Sequence, residues 1–513
     1  MDLYRTLAGG FAEHRNEAWI LRDDGPTISY GDVDEASARV VGLLRALGVR
    51  RGDRVATQVD KSPEALLVYL GVVRAGASFL PLNPAYRPDE LAYFLGDAEP
   101  AVVIGRSGDE ACAEVARRAG VPHVFELDAH SRGSWASAVA GAEALDGAAS
   151  ASDDVAAIVY TSGTTGRSKG AMLTHENLVS NALTLRRMWG FVPGDVLLHA
   201  LPIFHVHGLF VATNTAMANA SPIVFHARFD AAAVVDALTR ATVFMGVPTM
   251  YTRLLSRPEL TRERCAAMRL FVSGSAPLLP ETFEQFRERT GHTILERYGM
   301  TETSMITSNP CHGPRKGGTV GPPLPGVTVR VVTDDGAAAP AGRVGDVQVK
   351  GPNVLKGYWR RPDIDAEEFT ADGFFRTGDI GLFDDDHYLT LVGRSKDLVI
   401  SGGYNVYPKE VELLLDELDG VVESAVIGLA HPDYGEAVTA VLVLEPGATI
   451  DEATVVRALK PHLASYKVPK AVRVVAELPR NAMGKVQKNV LRARFASLFA
   501  GDDEHGTIAP HEG

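Results

Sequence analysis

Apolar positions in the first 150 residues alternate between helical and extended spacing. One helix face is indicated by residues spaced three or four apart: Val33, Ala36, Val40, Leu44 and Leu47. Gly48 follows where a C-terminal cap belongs, and residues 54–59 are typical of a strand. The next helix begins with Ser62 as N-cap and Pro63 at its first position. This rhythm predicts βαβ units and a largely parallel sheet.

Residues 195–310 repeat the rhythm, with strands predicted at 243–247 and 270–273. Within this part, residues 196–227 contain no Asp, Glu, Lys or Arg. The segment holds Pro202, four histidines and two asparagines, so a continuous apolar span is missing. It therefore predicts buried core and not a membrane span.

The pattern changes twice in the C-terminal part of the chain. Residues 317–394 carry short alternating strands divided by Gly and Pro turns, which predicts a small β-barrel-like subdomain. From residue 395 helices and strands form an α+β unit of about a hundred residues, within normal domain size. The predicted fold class is α/β, with an N-terminal domain at 1–394, a C-terminal domain at 395–500 and a disordered tail at 501–513.

Composition excludes several partners. The formal net charge of −13 disfavours nucleic acid and anionic membranes, so an anionic substrate must be held by local positive charge. Cys112, Cys265 and Cys311 are scattered without metal spacing, which is typical of reduced thiols in a cytosol. The first residues lack a basic region followed by an apolar run. We therefore predict a cytoplasmic protein.

A loop rich in glycine and hydroxyl groups is the strongest functional signal. It reads Thr161, Ser162, Gly163, Thr164, Thr165, Gly166, Arg167, Ser168, Lys169 and Gly170. Hydroxyls, free amide groups and one ammonium suit an oligophosphate. The spacing is not that of a Walker loop, and residues 171–173 read as a second strand before Thr174 caps a helix. The prediction is a phosphate loop carried by a hairpin, which argues against a kinase or GTPase.

Five later motifs carry polar chemistry. Residues 296–302 offer an aromatic ring for a base and a carboxylate for a metal, and 377–379 expose a carboxylate suited to ribose hydroxyls. Residues 393–397 and 401–405 lie where the two domains meet in sequence, and 479–485 place a lysine after a glycine turn. Each motif alone is equally well read as a turn, a surface charge or a core tyrosine.

Together and in this order, the motifs resemble the adenylate-forming superfamily of acyl- and aryl-CoA synthetases, peptide-synthetase adenylation domains and luciferases. The resemblance covers about residues 1–500, and within the superfamily it is greatest to the malonyl-CoA synthetase branch. It implies a mobile C-terminal domain and two half-reactions, with ATP, Mg²⁺ and coenzyme A. A carboxylate would first displace pyrophosphate from ATP, and the thiol of coenzyme A would then expel AMP.

The resemblance implies a role for each motif. Residues 161–169 would wrap the β- and γ-phosphates, and Glu302 would hold Mg²⁺, with Thr161. Tyr298 would stack on adenine, and Asp379 would bind the ribose with Arg394. The ATP site implied in this way comprises Thr161, Ser162, Gly163, Thr164, Thr165, Gly166, Lys169, Gly274, Ser275, Ala276, Tyr298, Gly299, Thr301, Asp379 and Arg394.

Further roles concern catalysis and motion. Lys485 would bridge the acyl carboxylate and the α-phosphate, and His205 matches the position that gates the acyl pocket. Asp397 matches the hinge of the C-terminal domain, and Gly402 and Gly403 would line the pantetheine channel. Residues 479–485 differ from the usual Pro-Lys-Thr-x-x-Gly-Lys pattern in having Arg480. Because Lys485 carries a charge that acetylation would remove, we also predict that a protein lysine acetyltransferase could act on it.

Two arginines indicate the acid. Many fatty and aryl relatives have an uncharged residue where this chain has Arg297, and Arg253 resembles the second arginine of the malonate branch. With Ser275 the pair would clamp a distal carboxylate, which favours malonate or methylmalonate. The alternative is that these are ordinary arginines paired with acids such as Glu259 or Glu296. Rival functions are ligation of another short or aromatic acid, a luciferase-like oxygenase, and loading of a free-standing carrier protein.

Overall fold

The structure is a computed structural model that describes residues 1–22, 26–161, 168–481 and 484–499. The chain forms two compact units. The first unit comprises residues 1–330, 348–377 and 383–390, and the second comprises 331–347, 378–382 and the residues from Leu391 onward. These units are interrupted in sequence, so the division at residue 394 stays a prediction. The tail predicted at 501–513 lies outside the described residues.

The helices of the described chain are α1 Leu3–Ala8, α2 Phe11–His14, α3 Tyr30–Ala46, α4 Pro63–Arg74, α5 Pro88–Ala98, α6 Glu110–Arg118, α7 Ser134–Ala140, α8 His175–Met188, α9 Thr213–Ala218, α10 Ala231–Ala237, α11 Pro248–Leu255, α12 Pro280–Thr290, α13 Pro362–Glu368, α14 Pro408–Asp416, α15 Glu452–Leu459 and α16 Lys488–Arg494. A π-helix spans His207–Ala212, and 3₁₀ turns span Leu238–Arg240 and Ser395–Asp397.

The strands are β1 Ala18–Leu21, β2 Ile28–Ser29, β3 Arg54–Gln58, β4 Ser78–Pro81, β5 Val102–Gly105, β6 His123–Glu126, β7 Val155–Thr161, β8 Lys169–Thr174, β9 Leu197–His199, β10 Ile223–Phe225, β11 Val243–Gly246, β12 Leu270–Ser273, β13 Leu295–Met300, β14 Ser304–Ser308, β15 Thr328–Val332, β16 Gly345–Lys350, β17 Gly357–Tyr358, β18 Phe375–Phe383, β19 Leu389–Arg394, β20 Val399–Ser401, β21 Tyr404–Val406, β22 Val421–His431, β23 Gly435–Leu444 and β24 Ala471–Val474.

A seven-stranded sheet in the first unit has the order β17-β8-β7-β4-β3-β5-β6. Its strands β3 to β7 pair in parallel, which confirms the predicted βαβ units. β7 and β8 form an antiparallel hairpin in which Thr161 pairs with Lys169. The predicted phosphate loop therefore connects the two strands of a hairpin, as the sequence indicated. β17 joins this sheet beside β8, away from the β-rich segment in which its residues were predicted.

An eight-stranded sheet in the same unit has the order β14-β13-β12-β11-β9-β10-β1-β2. The strands β9, β10, β11, β12 and β13 pair in parallel, so their carboxyl ends lie at one edge. In open α/β sheets this edge is where ligands bind. The ends of these strands and the segments that follow them contain the predicted site residues of the first unit that lie outside the loop at 161–169.

The helix starts follow the predicted capping chemistry. The Ser62 side chain accepts a hydrogen bond from the Ala65 N–H, with Pro63 at the first position of α4. Thr174 caps α8 and forms a reciprocal capping box with Asn177. α3 and α4 pack so closely that a β-carbon built on Gly71 of α4 would lie 2.3 Å from the β-carbon of Val40 on α3.

The charge-free segment is buried core, as predicted. Its π-helix and most of α9 are shielded from solvent. Across the described ranges, we find no helix with the length and hydropathy needed to cross a bilayer.

The second unit contains a sheet with the order β21-β20-β23-β22, and β24 pairs with β23. α14 and α15 contribute to its apolar core through Val411, Leu415, Val455 and Leu459. A further four-stranded sheet has the order β15-β16-β18-β19. The mixed α/β fold and the α+β character of the C-terminal residues are confirmed.

Candidate active site

Four parallel strands of the eight-stranded sheet position the predicted site residues of the first unit that lie outside the loop at 161–169. His205 follows β9, α11 follows β11, Ser275 follows β12, and Tyr298 lies near the end of β13. Because the carboxyl ends of parallel strands meet at one edge, the fold gathers segments that are up to about a hundred residues apart in sequence.

The phosphate loop is described only at its two ends. Thr161 and Lys169 face each other across the hairpin, while Ser162, Gly163, Thr164, Thr165 and Gly166 lie outside the described residues. Lys169 Nζ lies 3.5 Å from Glu368 Oε1 and 5.2 Å from the centre of the Tyr358 ring. The ammonium of Lys169 is therefore held at the base of the loop.

Tyr358 connects this lysine to the predicted metal ligand, and the sequence analysis missed it. Its hydroxyl donates to Glu302 Oε1 at 3.2 Å, and both side chains are buried. Burial, followed by the nearby Glu302 carboxylate, raises the pKa of Tyr358, so the phenol stays protonated and donates. Lys169, Tyr358 and Glu302 thus form one continuous polar group beside the loop.

The end of β13 and the residues that follow it carry the predicted adenine site. Tyr298 is buried, whereas Thr301 is half-buried. A β-carbon built on Gly299 would lie 1.9 Å from the Ser304 carbonyl oxygen, so only glycine fits there. Gly274, Ser275 and Ala276 follow the neighbouring strand β12, and Ser275 has a φ of 72°. The structure brings these two segments to adjacent strand ends.

Arg297 is the least expected charge in the first unit. It lies on β13 with 2% of its surface exposed. Its Nε and Nη2 atoms have no hydrogen-bond partner within the described ranges, and burial lowers the pKa of Arg297 to about 9. A buried guanidinium is costly unless an anion meets it. Among the described residues we find no anion that meets the unpartnered nitrogen atoms of Arg297.

His207 lies beside Arg297 and was not singled out by the sequence analysis. Its Nδ1 is 3.2 Å from Ser275 Oγ, and its Nε2 has no hydrogen-bond partner in the described part of the chain. Burial, and then the charge of Arg297, hold the pKa of His207 well below its usual range, so the ring is neutral. The neighbouring His205 accepts from the His207 N–H at 3.3 Å. The π-helix that starts at His207 is the structural signal, because such turns often occur at functional sites.

Arg253 occupies a different environment from Arg297. It is exposed on α11, whereas Tyr251 of the same helix is buried near Arg297. The alternative pairing with Glu259 is not observed, since Glu259 lies 3.3 Å from Arg257. Glu296 Oε1 accepts from the Leu278 N–H, and we find no ion pair with Arg253 in the described ranges. A clamp that contains both arginines stays a prediction.

Asp379 and Arg394 both belong to the second unit and contact each other. Arg394 Nε lies 2.8 Å from Asp379 Oδ1, and Asp379 is buried. The prediction that residues 377–379 expose this carboxylate is wrong, because they lie within β18 and the side chain of Asp379 is buried, while Gly378 has a φ of 68°. The predicted partnership of these two residues is thus present as an ion pair, while their contact with ribose stays a prediction.

The remaining predicted residues of the second unit lie in three turns. Lys485 is half-buried next to a turn that begins at Asn481. Gly402 and Gly403 have φ values of 60° and 81°, and the Gly402 N–H donates to the Tyr434 carbonyl at 2.8 Å. Asp397 Oδ1 lies 2.8 Å from Arg492 Nη2 on α16.

The described residues contain no group of three or more His, Cys, Asp or Glu side chains that could hold a metal. Mg²⁺ does not need such a group, because it is usually held by one or two carboxylates together with substrate phosphates. The buried Glu302 near Lys169 is the carboxylate that suits this arrangement.

Sequence comparison identifies two matching regions. The model of the AMP-binding enzyme family matches residues 10–359, and that of the AMP-binding enzyme C-terminal domain matches residues 410–485. A malonate–CoA ligase of Arabidopsis thaliana is 35% identical over 96% of this chain and 89% of its own. A feruloyl-CoA synthase of an Amycolatopsis species is 36% identical over 93% of this chain and 96% of its own.

Structure comparison gives a similar result. ATP-bound MatB from Rhodopseudomonas palustris superposes with a TM-score of 0.95 and 51% sequence identity. The match covers 97% of this chain and 99% of that chain.

Proposed function

The chain belongs to the AMP-binding enzyme family, and on this premise we propose that it is an AMP-forming malonate–CoA ligase. The overall reaction converts malonate, ATP and CoA to malonyl-CoA, AMP and pyrophosphate. Identity alone does not select the acid, since the malonate–CoA ligase and the feruloyl-CoA synthase are equally similar to this chain. The choice of acid rests on the site.

The observation that carries the proposal is the buried Arg297 guanidinium, two of whose nitrogen atoms have no partner among the described residues. An aromatic or monocarboxylic acid would leave that charge unpaired after its own carboxylate had reacted. Malonate has a second carboxylate that can accept from Arg297 while the first is activated. Ser275 and the neutral His207, 3.2 Å apart, supply further polar groups beside it. Arg253 would complete the clamp if α11 presents it to the same anion.

In the first half-reaction a carboxylate oxygen of malonate attacks the α-phosphorus of ATP, and pyrophosphate leaves. This chemistry depends on positioning and charge neutralisation. Lys169 would neutralise the departing phosphates, and Tyr298 would hold the adenine. Asp379, oriented by Arg394, would bind the ribose, and Lys485 would offset the charge that develops between carboxylate and α-phosphate.

Glu302 would hold Mg²⁺, with Thr161 as a second oxygen ligand. When bound, the ion supplies positive charge to the phosphate oxygens. The Tyr358 hydroxyl, which donates to Glu302 at 3.2 Å, fixes the direction of the carboxylate. We propose this assignment because one buried carboxylate suits a metal held mainly by substrate phosphates.

In the second half-reaction the CoA thiol attacks the acyl carbon of malonyl-adenylate, and AMP leaves. Gly402 and Gly403 would border the pantetheine arm, where the lack of side chains permits close approach. Asp397 would be the hinge about which the C-terminal residues reorient between the half-reactions. His205 would gate the acyl pocket. Methylmalonate is the second substrate to test. Acetylation of Lys485 and a cytoplasmic location stay predictions.

A panel of acids tests the proposal. AMP release, coupled to a spectroscopic readout, is measured with malonate, methylmalonate, succinate, acetate and benzoate, with and without CoA. We expect malonate to give the highest kcat/KM and turnover to require CoA. Arg253→Met should lower kcat/KM for malonate and leave acetate unchanged if Arg253 belongs to the clamp. Acetate turnover equal to that of malonate, or O₂-dependent turnover without CoA, would refute the proposal.

A further inference from the structure

The turn that carries Lys485 is closed by its own hydrogen bonds. The Asn481 N–H donates to the Lys485 carbonyl at 2.9 Å, and the Lys485 N–H donates to Asn481 Oδ1 at 3.0 Å. The Gly484 N–H donates to the Asn481 carbonyl, and Gly484 has a φ of 73°. Arg480 and Val486 pair across the turn as an antiparallel bridge. These hydrogen bonds hold the backbone of Lys485 to Asn481, and residues 482–483 between them lie outside the described residues.

Arg480 anchors this turn to the sheet of the second unit. Its Nη1 donates to the Gly484 carbonyl at 2.5 Å, and its Nη2 forms an ion pair with Glu423 Oε2. Glu423 lies on β22, where it pairs with Val443 of β23, so the anchor is a strand held along its length by the centre of the sheet. One guanidinium thus connects the residue before Lys485 to the sheet.

We propose that Arg480 is a positioning residue for Lys485, acting through the Gly484 carbonyl and Glu423. The proposal rests on the proposed function, in which Lys485 acts during adenylate formation. The planar guanidinium is suited to this task because it donates to two acceptors in fixed directions. A lysine at this position would concentrate its donors on one nitrogen atom and could not reproduce the fork. Arg480, which replaces the lysine of the usual Pro-Lys-Thr-x-x-Gly-Lys pattern, therefore allows one side chain to contact both the Gly484 carbonyl and Glu423.

The anchor matters because Lys485 is a long side chain that must meet two reacting groups at once. A displacement of about 1 Å in a positioned group can lower a rate about a hundredfold. Thioester formation does not use Lys485 under the proposed mechanism. Loss of the anchor should therefore impair only the first half-reaction.

Three variants test this: Arg480→Lys, Arg480→Gln and Glu423→Gln. Glu423→Gln is the decisive one, because it removes the anchoring charge and leaves the Arg480 side chain in place. Pyrophosphate release from malonate and ATP, and thioester formation from supplied malonyl-adenylate and CoA, are measured separately. We expect each variant to slow pyrophosphate release by about tenfold or more, with less than about twofold change in thioester formation and in KM for ATP.

A double-mutant cycle separates positioning from a general structural role. In a Lys485→Ala background, Glu423→Gln should cause no further loss of pyrophosphate release, because its effect passes through Lys485. Unchanged activity of Glu423→Gln, equal losses in both half-reactions, or additive losses in the cycle would each overturn the proposal. A failure of the proposed function would give a different result from a failure of this proposal, because the unmodified enzyme itself would then release no pyrophosphate with malonate.

Discussion

The Arg297 guanidinium fills the space beside Gly274. A β-carbon built on Gly274 would lie 2.5 Å from both Cζ and Nη1 of Arg297. Gly274 directly follows β12 and Arg297 lies on β13, and the residues before them, Ser273 and Glu296, pair across the two strands. Glycine at 274 is therefore what allows a buried arginine to reach the strand ends, and the anion site depends on both positions.

Gly274→Ala should displace Arg297 and reduce malonate turnover. The added methyl group cannot fit without moving the guanidinium, and core overpacking typically costs about 1–3 kcal/mol. We expect kcat/KM for malonate to fall about tenfold to a hundredfold, with a smaller change for acetate. Gly299→Ala, which instead meets the Ser304 carbonyl, is the matched control and should impair both acids alike. If Gly299→Ala lowered kcat/KM for malonate much more than for acetate, the assignment of Arg297 to the distal carboxylate would be contradicted.

Arg297→Met should make the ligand-free protein more stable. Replacing a buried charge by an apolar side chain of similar length removes its desolvation penalty, and such changes stabilise by about 1–3 kcal/mol. Urea denaturation measures this difference, with Arg257→Met as control because Arg257 already lies beside Glu259. Added malonate should raise the Tm of the unmodified protein and leave that of Arg297→Met unchanged. A destabilised Arg297→Met protein would show that the guanidinium has a structural anion.

Local signals predicted the phosphate hairpin and the helix caps. Thr161 and Lys169 are eight residues apart, and Thr174 caps the helix that follows directly, so short-range patterns determine these features. The strands predicted at 54–59, 243–247 and 270–273 are present for the same reason. Lys485, Asp379 and Glu302 were assigned from motif resemblance and not from geometry.

Contacts between distant segments could not be predicted in this way. The Tyr358–Glu302 hydrogen bond depends on β17 pairing with β8, more than 180 residues earlier in the chain. His207 lies in an apolar segment, where sequence alone predicts a buried structural histidine. Only its contact with Ser275 in the structure indicates a role in the site. The two compact units are interrupted in sequence because strands from one β-rich stretch divide between them, and no compositional change marks those points.

Asp416→Asn should change the pH dependence of stability. Burial raises the pKa of Asp416 from 3.8 to about 6, so the folded state binds this proton more tightly than the unfolded state. Its stabilising contribution is therefore present below about pH 4 and is lost as the pH rises through about 6. The loss should be on the order of 1–3 kcal/mol.

Urea denaturation at pH 4, 5, 6 and 7 checks this expectation. The free energy of unfolding should fall less between pH 4 and 6 in Asp416→Asn than in the unmodified protein, by about 1–3 kcal/mol. The reason is that the amide does not titrate, while its oxygen can still accept a hydrogen bond from Ser424 Oγ. Asp419→Asn, an exposed carboxylate nearby, is the control and should keep the profile of the unmodified protein. Identical profiles for all three proteins would contradict the raised pKa.

Arg492→Ala should affect the alternation between half-reactions. Arg492 on α16 lies 2.8 Å from Asp397, the proposed hinge, so it restrains that segment in the present conformation. We expect single-turnover rates of both half-reactions to stay within about twofold, while steady-state turnover changes about threefold or more. Arg494→Ala, on the same helix and exposed, is the control. A change in the isolated half-reactions would show that Arg492 acts on chemistry and not on the hinge.

The identity of the acid is tested most directly by the ratio of kcat/KM for malonate to kcat/KM for acetate. This ratio is measured in the unmodified enzyme, in Arg297→Met and in Arg257→Met. If the buried guanidinium receives the distal carboxylate of malonate, Arg297→Met lowers the ratio about a hundredfold, and Arg257→Met leaves it unchanged. A ratio near one in the unmodified enzyme, or an equal loss for both acids in Arg297→Met, would contradict a malonate–CoA ligase.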